Sequence, residues 1–310
     1  MSLPPFDRRR VPPGLRFHDL AGEGGWRLRG YDWPANEQEG GAARGSILFQ
    51  SGRADFVEKY FEAIDHWHGQ GWNVAGFDWR GQGGSAREGA ATGSVLDAML
   101  ADATAEVRRW IARTPPPHVL IGHSMGGHLL LRLLAEQRVD VAAAVLAAPM
   151  LGLAHAPLSA GAARALARLA CALGRRDAPL WAGKAASLGR QGRLTGCVDR
   201  YADEGWWRET DPALQVDPPT WGWLRQAMDS IARLDAPGVL ESVTVPVLLV
   251  ATDRDRLVSA AAIRRATARL PDARLVMLDG AHELLRESDP VRTAAFEAID
   301  DFLDEKAPRA

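Results

Sequence analysis

The sequence predicts an α/β fold: a mostly parallel, twisted sheet flanked by helices, with one helical segment inserted. Three observations carry this. Short apolar runs alternate with amphipathic stretches, the pattern of a parallel sheet covered on both faces. A serine flanked by glycines stands between one such run and the helical pattern after it. After the strand at 141–146, no convincing strand returns before Val245, and a gap that long exceeds any ordinary connection.

The elements follow in order. Residues 26–32 and 45–50, joined by a Glu- and Gly-rich turn, are expected to form an opening hairpin. Residues 56–68 read as a helix and 73–77 as the next strand; 98–112 form an amphipathic helix that stops before Pro115-Pro116-Pro117. Val119-Leu120-Ile121 is a buried strand, followed by a helix and the strand at 141–146. Late strands are expected at 247–251, after Pro246, and at 274–278, after the breaker Pro271-Asp272. The resulting division is a core of residues 1–150 and 243–310, with a helical cap at 151–242. A chain of 310 residues suits one sheet domain plus an insertion better than two equal domains.

Composition narrows the classes. A formal net charge of -2 leaves no nucleic-acid footprint. Cys171 and Cys197 are too few for a disulfide scaffold, so a reducing, cytoplasmic setting is expected. Residues 1–13 carry Arg8-Arg9-Arg10 without an apolar stretch behind them and do not read as a signal peptide. No run approaches the roughly 20 apolar residues of a membrane span. Residues 161–174 are rich in Ala and Leu, with Arg164, Arg168 and then Arg175-Arg176. Such a helix packs on its own domain or, alternatively, rests peripherally on a lipid surface with its basic side outward. Oligomeric state is not legible.

Gly122-His123-Ser124-Met125-Gly126 lies between the strand at 119–121 and a helix, the setting of a nucleophile elbow. The glycines are needed because a side chain two residues from the serine would collide with strand or helix. A serine nucleophile needs a base, which in this topology follows the last strand. Asp279-Gly280-Ala281-His282-Glu283 places His282 there. The rivals His18, His66, His68, His118, His123, His128 and His155 follow no late strand. His66 and His68 point to different helix faces and are expected as a solvated pair, not metal ligands. The third member is an acid in the loop after 247–251, where Thr252-Asp253-Arg254-Asp255-Arg256-Leu257-Val258 offers two carboxylates.

The chain resembles the branch of the α/β-hydrolase superfamily that holds bacterial lysophospholipases and monoacylglycerol lipases. The resemblance runs through Ile47-Leu48-Phe49-Gln50-Ser51-Gly52-Arg53, Phe56-Val57-Glu58-Lys59-Tyr60 and Asp78-Trp79-Arg80-Gly81-Gln82-Gly83-Gly84-Ser85. It continues through the elbow, Asp255-Arg256-Leu257-Val258 and His282-Glu283-Leu284-Leu285-Arg286-Glu287. Asp211-Pro212-Ala213-Leu214 and Pro219-Thr220-Trp221-Gly222-Trp223-Leu224 in the insertion match it too. It implies an α/β-hydrolase fold and selects Asp255, four residues beyond the strand, as the triad acid. By position, the backbone N–H groups of Arg53 and Met125 form the oxyanion hole. Ser51 and Gln82 stand where relatives often carry His; a backbone donor survives such exchange, so Ser51 bears on the loop's orientation and not on the hole itself.

The expected activity is cleavage of a monoacyl-lipid carboxylic ester by Ser124, His282 and Asp255 through an acyl-enzyme, without cofactor or metal. Monoacylglycerol lipase or short-chain carboxylesterase is the alternative. An amide-cleaving aminopeptidase-like member or a catalytically silent binding protein is more remote. The insertion holds Trp181, Trp206, Trp207, Trp221 and Trp223. Trp221 and Trp223 are expected either to line the acyl cleft or to fill the lobe's own core. The Arg53 side chain is expected to pair with Asp55 or Glu58, with a substrate phosphate as the alternative.

Overall fold

Alternation along the central strands sets the architecture. Leu48, Leu120, Leu146 and Leu249 point into one apolar core, while Ile47, Phe49, Val119, Ile121, Val145, Leu248 and Val250 point into another. A sheet apolar on both faces must be covered on both. The computed structural model describes residues 6–35, 43–87, 94–154, 159–180 and 189–309. In chain order the first elements are β1 (Arg16–Ala21), β2 (Arg27–Trp33), β3 (Gly45–Gln50), α1 (Phe61–Gly69), β4 (Trp72–Phe77) and α2 (Val95–Arg113). Then come β5 (His118–His123), α3 (Met125–Gln137), β6 (Ala143–Ala147), α4 (Ala160–Ala172), α5 (Arg190–Leu194), α6 (Val198–Thr210) and α7 (Trp221–Leu234). The chain closes with β7 (Val247–Ala251), α8 (Ala260–Thr267), β8 (Ala273–Met277) and α9 (Asp289–Lys306).

The eight strands form one sheet in the order β1-β2-β4-β3-β5-β6-β7-β8. The steps from β4 through β3 to β8 are parallel, and β1 and β2 are antiparallel. This corrects the opening hairpin: β2 pairs with β1 and β4, and β3 lies beyond β4. The missed partner is β1, whose outer face is exposed at the sheet edge and lacks a clear apolar signal. His18, one of the rival histidines, lies within this strand.

Helices α2, α3, α7 and α8 cover the first face; α1 and α9 cover the second. The insertion between β6 and β7 contributes α4 to α7 and, among the described residues, no strand to the sheet. Its helices are tied to the core. Ala227 and Leu234 of α7 join the first apolar core, and Trp207 of α6 joins the second. Helix α4 lies outermost, with Arg164 and Arg168 on Asp229 of α7 and with Leu166, Leu169 and Leu173 exposed. Hydroxyl caps start two of these helices: Ser159 accepts from the Ala162 N–H, and Thr220 from the Trp223 N–H.

Candidate active site

The carboxyl ends of the parallel strands gather three side chains. Ser124 follows β5 directly, Asp255 lies four residues beyond β7, and His282 follows β8. Ser124 takes φ 53° and ψ -115°, a left-handed conformation that L residues avoid. Packing holds it there. The Ser124 N–H donates to Ala147 O at 2.9 Å, and Ser124 O accepts from Met150 at 3.0 Å. A Cβ at Gly122 would lie 2.7 Å from Gly127 N, and one at Gly126 would lie 2.5 Å from Gln50 O and Ser51 O. Both glycines are therefore required by close approach.

His282 Nδ1–H donates to Asp255 Oδ2 at 2.6 Å, and the Ser124 hydroxyl donates to His282 Nε2 at 2.9 Å. The carboxylate only accepts, which puts the neutral ring's proton on Nδ1 and leaves Nε2 free to receive one. Burial opposes charge on His282, but the attraction and hydrogen bond of Asp255, helped by Glu283 and Asp55, raise its pKa above the usual histidine value. For Asp255, burial pushes upward, but His282 and the N–H groups of Val258 and Leu257 hold it below the ordinary carboxylate range. Those N–H groups donate to its Oδ1 at 2.9 and 2.8 Å. The other carboxylate turns away: Asp253 pairs with Arg264 at 2.7 Å.

The loop after β3 lies against the serine, since a Cβ at Gly52 would stand 3.2 Å from Ser124 Cβ. Its N–H groups divide cleanly. Gly52 N–H donates to Asp55 at 3.1 Å and Ala54 N–H to Gln82 Oε1, whereas Arg53 N–H meets no acceptor among the described residues. Met125 begins α3, where an N–H has no intrahelical partner. Two donors thus remain open beside the serine. Gln82 holds the loop directly, and Ala54 at φ 60° turns the chain there.

Sequence reasoning missed what lies beneath this loop. Lys59 Nζ binds Asp55 and also Glu204 and Glu283 at 2.9 Å each. Arg286 pairs with Glu283, and Arg208 joins Glu204 at 2.7 Å and Ala54 O at 3.0 Å. Tyr60 OH bridges Asp55 at 2.8 Å and His123 Nδ1 at 2.9 Å; His123 Nε2 reaches the His282 carbonyl at 3.3 Å. Burial opposes the Lys59 charge, but its three carboxylates raise its pKa, and burial of Glu204 is outweighed so that its pKa falls to about 2. The available signal was the i, i+4 pair Asp55 and Lys59 before an apolar helix.

The remaining histidines have other partners. His66 binds Asp300 at 2.7 Å. His68 is buried, stacked on Trp33 with centroids 4.0 Å apart, so the expected solvated pair is corrected. Burial and Arg132 push His128 down to about 3, and it meets Ser230 at 2.7 Å. His155 and Trp181 lie outside the described residues. Trp207 packs edge-on against Phe61 and Trp206 as core. Trp223 lies beneath Arg53, and Trp221 is half-buried at the start of α7. A cavity of about 410 Å³ between α2 and α7, lined by Ser94, Asp97, Arg225 and Ser230 among others, contains none of the three gathered residues.

Fold and hydrogen-bonded Ser-His-Asp array together define an α/β-hydrolase of the serine-hydrolase class. The family model described as serine aminopeptidase, S33 matches residues 41–289, and the chain belongs to that family. It is 28% identical over 268 residues to "Probable lysophospholipase L2" of Haemophilus influenzae, covering 84% of each sequence. Among solved structures it resembles a soluble variant of Saccharomyces cerevisiae monoglyceride lipase in complex with a substrate analog, with TM-score 0.74 and 17% identity over 97% of this chain and 99% of that one. The monoacylglycerol lipase of Paleococcus ferrophilus aligns with TM-score 0.69 and 20% identity, covering 90% and 99%.

Proposed function

We propose that this protein cleaves the carboxylic ester of a monoacyl lipid through an acyl-enzyme. The observation that carries the reading is the chain from Ser124 through His282 to Asp255. Ser124 Oγ attacks the ester carbonyl as His282 Nε2 takes its proton. His282 then returns that proton to the leaving alcohol oxygen, and water enters by the reverse sequence. Asp255 fixes the ring and stabilises its cation. The N–H groups of Arg53 and Met125 receive the oxyanion, a role in which one donor is typically worth about two to three orders of magnitude in rate.

The monoacyl-lipid assignment is supported by the named lysophospholipase relative and by the apolar outer edge of α4. In this reading residues 151–242 are a cap over the core, Trp221 and Trp223 are walls of the acyl cleft, and Leu166, Leu169 and Leu173 meet the lipid surface. Among the described residues no helix is long and apolar enough to cross a membrane, so that contact is peripheral. The free Cys171 and Cys197 support a cytoplasmic setting.

A panel of lysophospholipids, monoacylglycerols, aryl esters of graded chain length and aminoacyl anilides tests the assignment. The highest kcat/KM is expected on long-chain monoacyl esters. A preference for acetyl esters would make the protein a short-chain carboxylesterase, and a preference for anilides would overturn the ester reading.

A further inference from the structure

The reading above uses only the backbone of Arg53. Its guanidinium has a separate and incomplete set of contacts. Neither acid close in sequence holds it: Asp55 is taken by Lys59, Tyr60 and the Gly52 N–H, and Glu58 receives both Nη groups of Arg29 at 2.6 and 2.8 Å. Nη2 of Arg53 instead donates to the Asp217 carbonyl oxygen at 2.8 Å. The guanidinium carbon lies 5.0 Å from the centre of the Trp223 ring. No carboxylate among the described residues is in ion-pair contact with it.

Burial lowers the Arg53 pKa to about 10, and the Asp217 carboxylate offsets this only from a distance. A neutral carbonyl and an aromatic face hold the group in place without neutralising it. The fork of donors on a guanidinium matches an anion with paired oxygens, phosphate above all. Position completes the case. Arg53 follows Gly52, which packs against Ser124, so an unneutralised cation starts from the residue whose open N–H the proposed function assigns to the oxyanion.

We propose that the Arg53 guanidinium is a head-group subsite that takes the phosphodiester of a monoacyl glycerophospholipid. The proposal rests on the ester-hydrolase reading for its orientation: the glycerol carries ester and phosphate on one short spacer. One residue then reads both ends of that spacer, the carbonyl oxygen with its N–H and the phosphate with its side chain. A neutral monoacylglycerol uses only the first contact.

The test is the ratio of kcat/KM for a lysophosphatidylcholine to that for a monoacylglycerol of the same acyl chain, in wild type, Arg53→Gln and Arg53→Lys. A displaced loop would depress both substrates and leave the ratio intact, so the ratio reports the charge. It is expected to fall about ten- to hundredfold in Arg53→Gln, mainly through KM, and less in Arg53→Lys, which keeps a point charge. Matched losses would overturn the subsite. Calorimetric titration of glycerol 3-phosphate against glycerol, on folded wild type and Arg53→Gln, decides the point without catalysis. Binding of the phosphate compound that is lost in the variant supports the subsite; equal or absent binding in both refutes it. Failure of the wild type to cleave any ester would instead overturn the ester-hydrolase reading, leaving the titration to decide the subsite.

Discussion

Ser124 sits in a backbone conformation that its side chain disfavours, and the glycines around it exist to permit that strain. This is why the serine was legible in the sequence: the demand is local and written in neighbouring residues. His282 was legible for the same reason, as the histidine of a loop after a late strand. Choosing between Asp253 and Asp255 needed a register that spacing alone left open, and the side chains in fact diverge, one to Arg264 and the other to His282. In the proposed role of base, His282 must be neutral to act, and Asp255 raises its pKa against the opposing effect of burial. The kcat/KM of wild type should therefore rise with pH through a value above the usual histidine pKa of about 6.5. Asp255→Asn should move that limb downward and lower kcat by about four orders of magnitude at unchanged fold, as a misheld tautomer does. Asp253→Asn should keep both limb and rate. The pH–rate profiles of the three proteins check this, and a reversed ranking would assign the acid to Asp253.

Elements were legible where burial is two-sided or periodic. Strands β3 to β7 carry apolar residues on both faces, and their runs stand out at nearly their observed bounds. Strand β1 did not, because its residues Arg16–Ala21 alternate between exposed and half-buried and form no apolar run, whereas the other edge strand, β8, keeps Leu275-Val276-Met277. Helix α4 was recognised as Ala/Leu-rich and packs on α7 of its own segment, as expected; the alternative of a basic side turned outward is the part that the structure reverses. Arg164 and Arg168 turn toward Asp229 of α7, leaving Leu166, Leu169 and Leu173 as an apolar edge, 44%, 56% and 70% exposed. A leucine that enters a lipid surface fully contributes about 1.5–3 kcal/mol. Replacing the three together with Gln should thus reduce co-sedimentation with phosphatidylcholine–phosphatidylglycerol vesicles at least tenfold. Hydrolysis of a soluble short-chain ester should stay near wild type. Unchanged sedimentation would return α4 to a purely structural role.

For the whole molecule, the sheet gathers Ser124, His282 and Asp255 at one end, and a buried ion network ties the surrounding loops together. Lys59 links the Arg53 loop through Asp55, the His282 loop through Glu283 and α6 through Glu204. Burying so many charges is unfavourable unless each is paired; Asp55, Glu204 and Glu283 each have a cation within four residues, but Lys59 joins them across segments far apart in sequence. That separation hid the network: a lysine on one helix does not announce carboxylates from more than a hundred residues away. The two-faced sheet, by contrast, was readable because each strand carries its own pattern. The central claim is that Ser124 is the nucleophile of this assembled site. Its most direct test is reaction with a fluorophosphonate, with the modified residue located by tandem mass spectrometry in wild type, Ser124→Ala and His282→Ala. Stoichiometric modification of Ser124 in wild type is expected, none in Ser124→Ala, and labelling slowed by orders of magnitude in His282→Ala. Modification at another residue, or an unmodified Ser124 in folded wild-type protein, would contradict it.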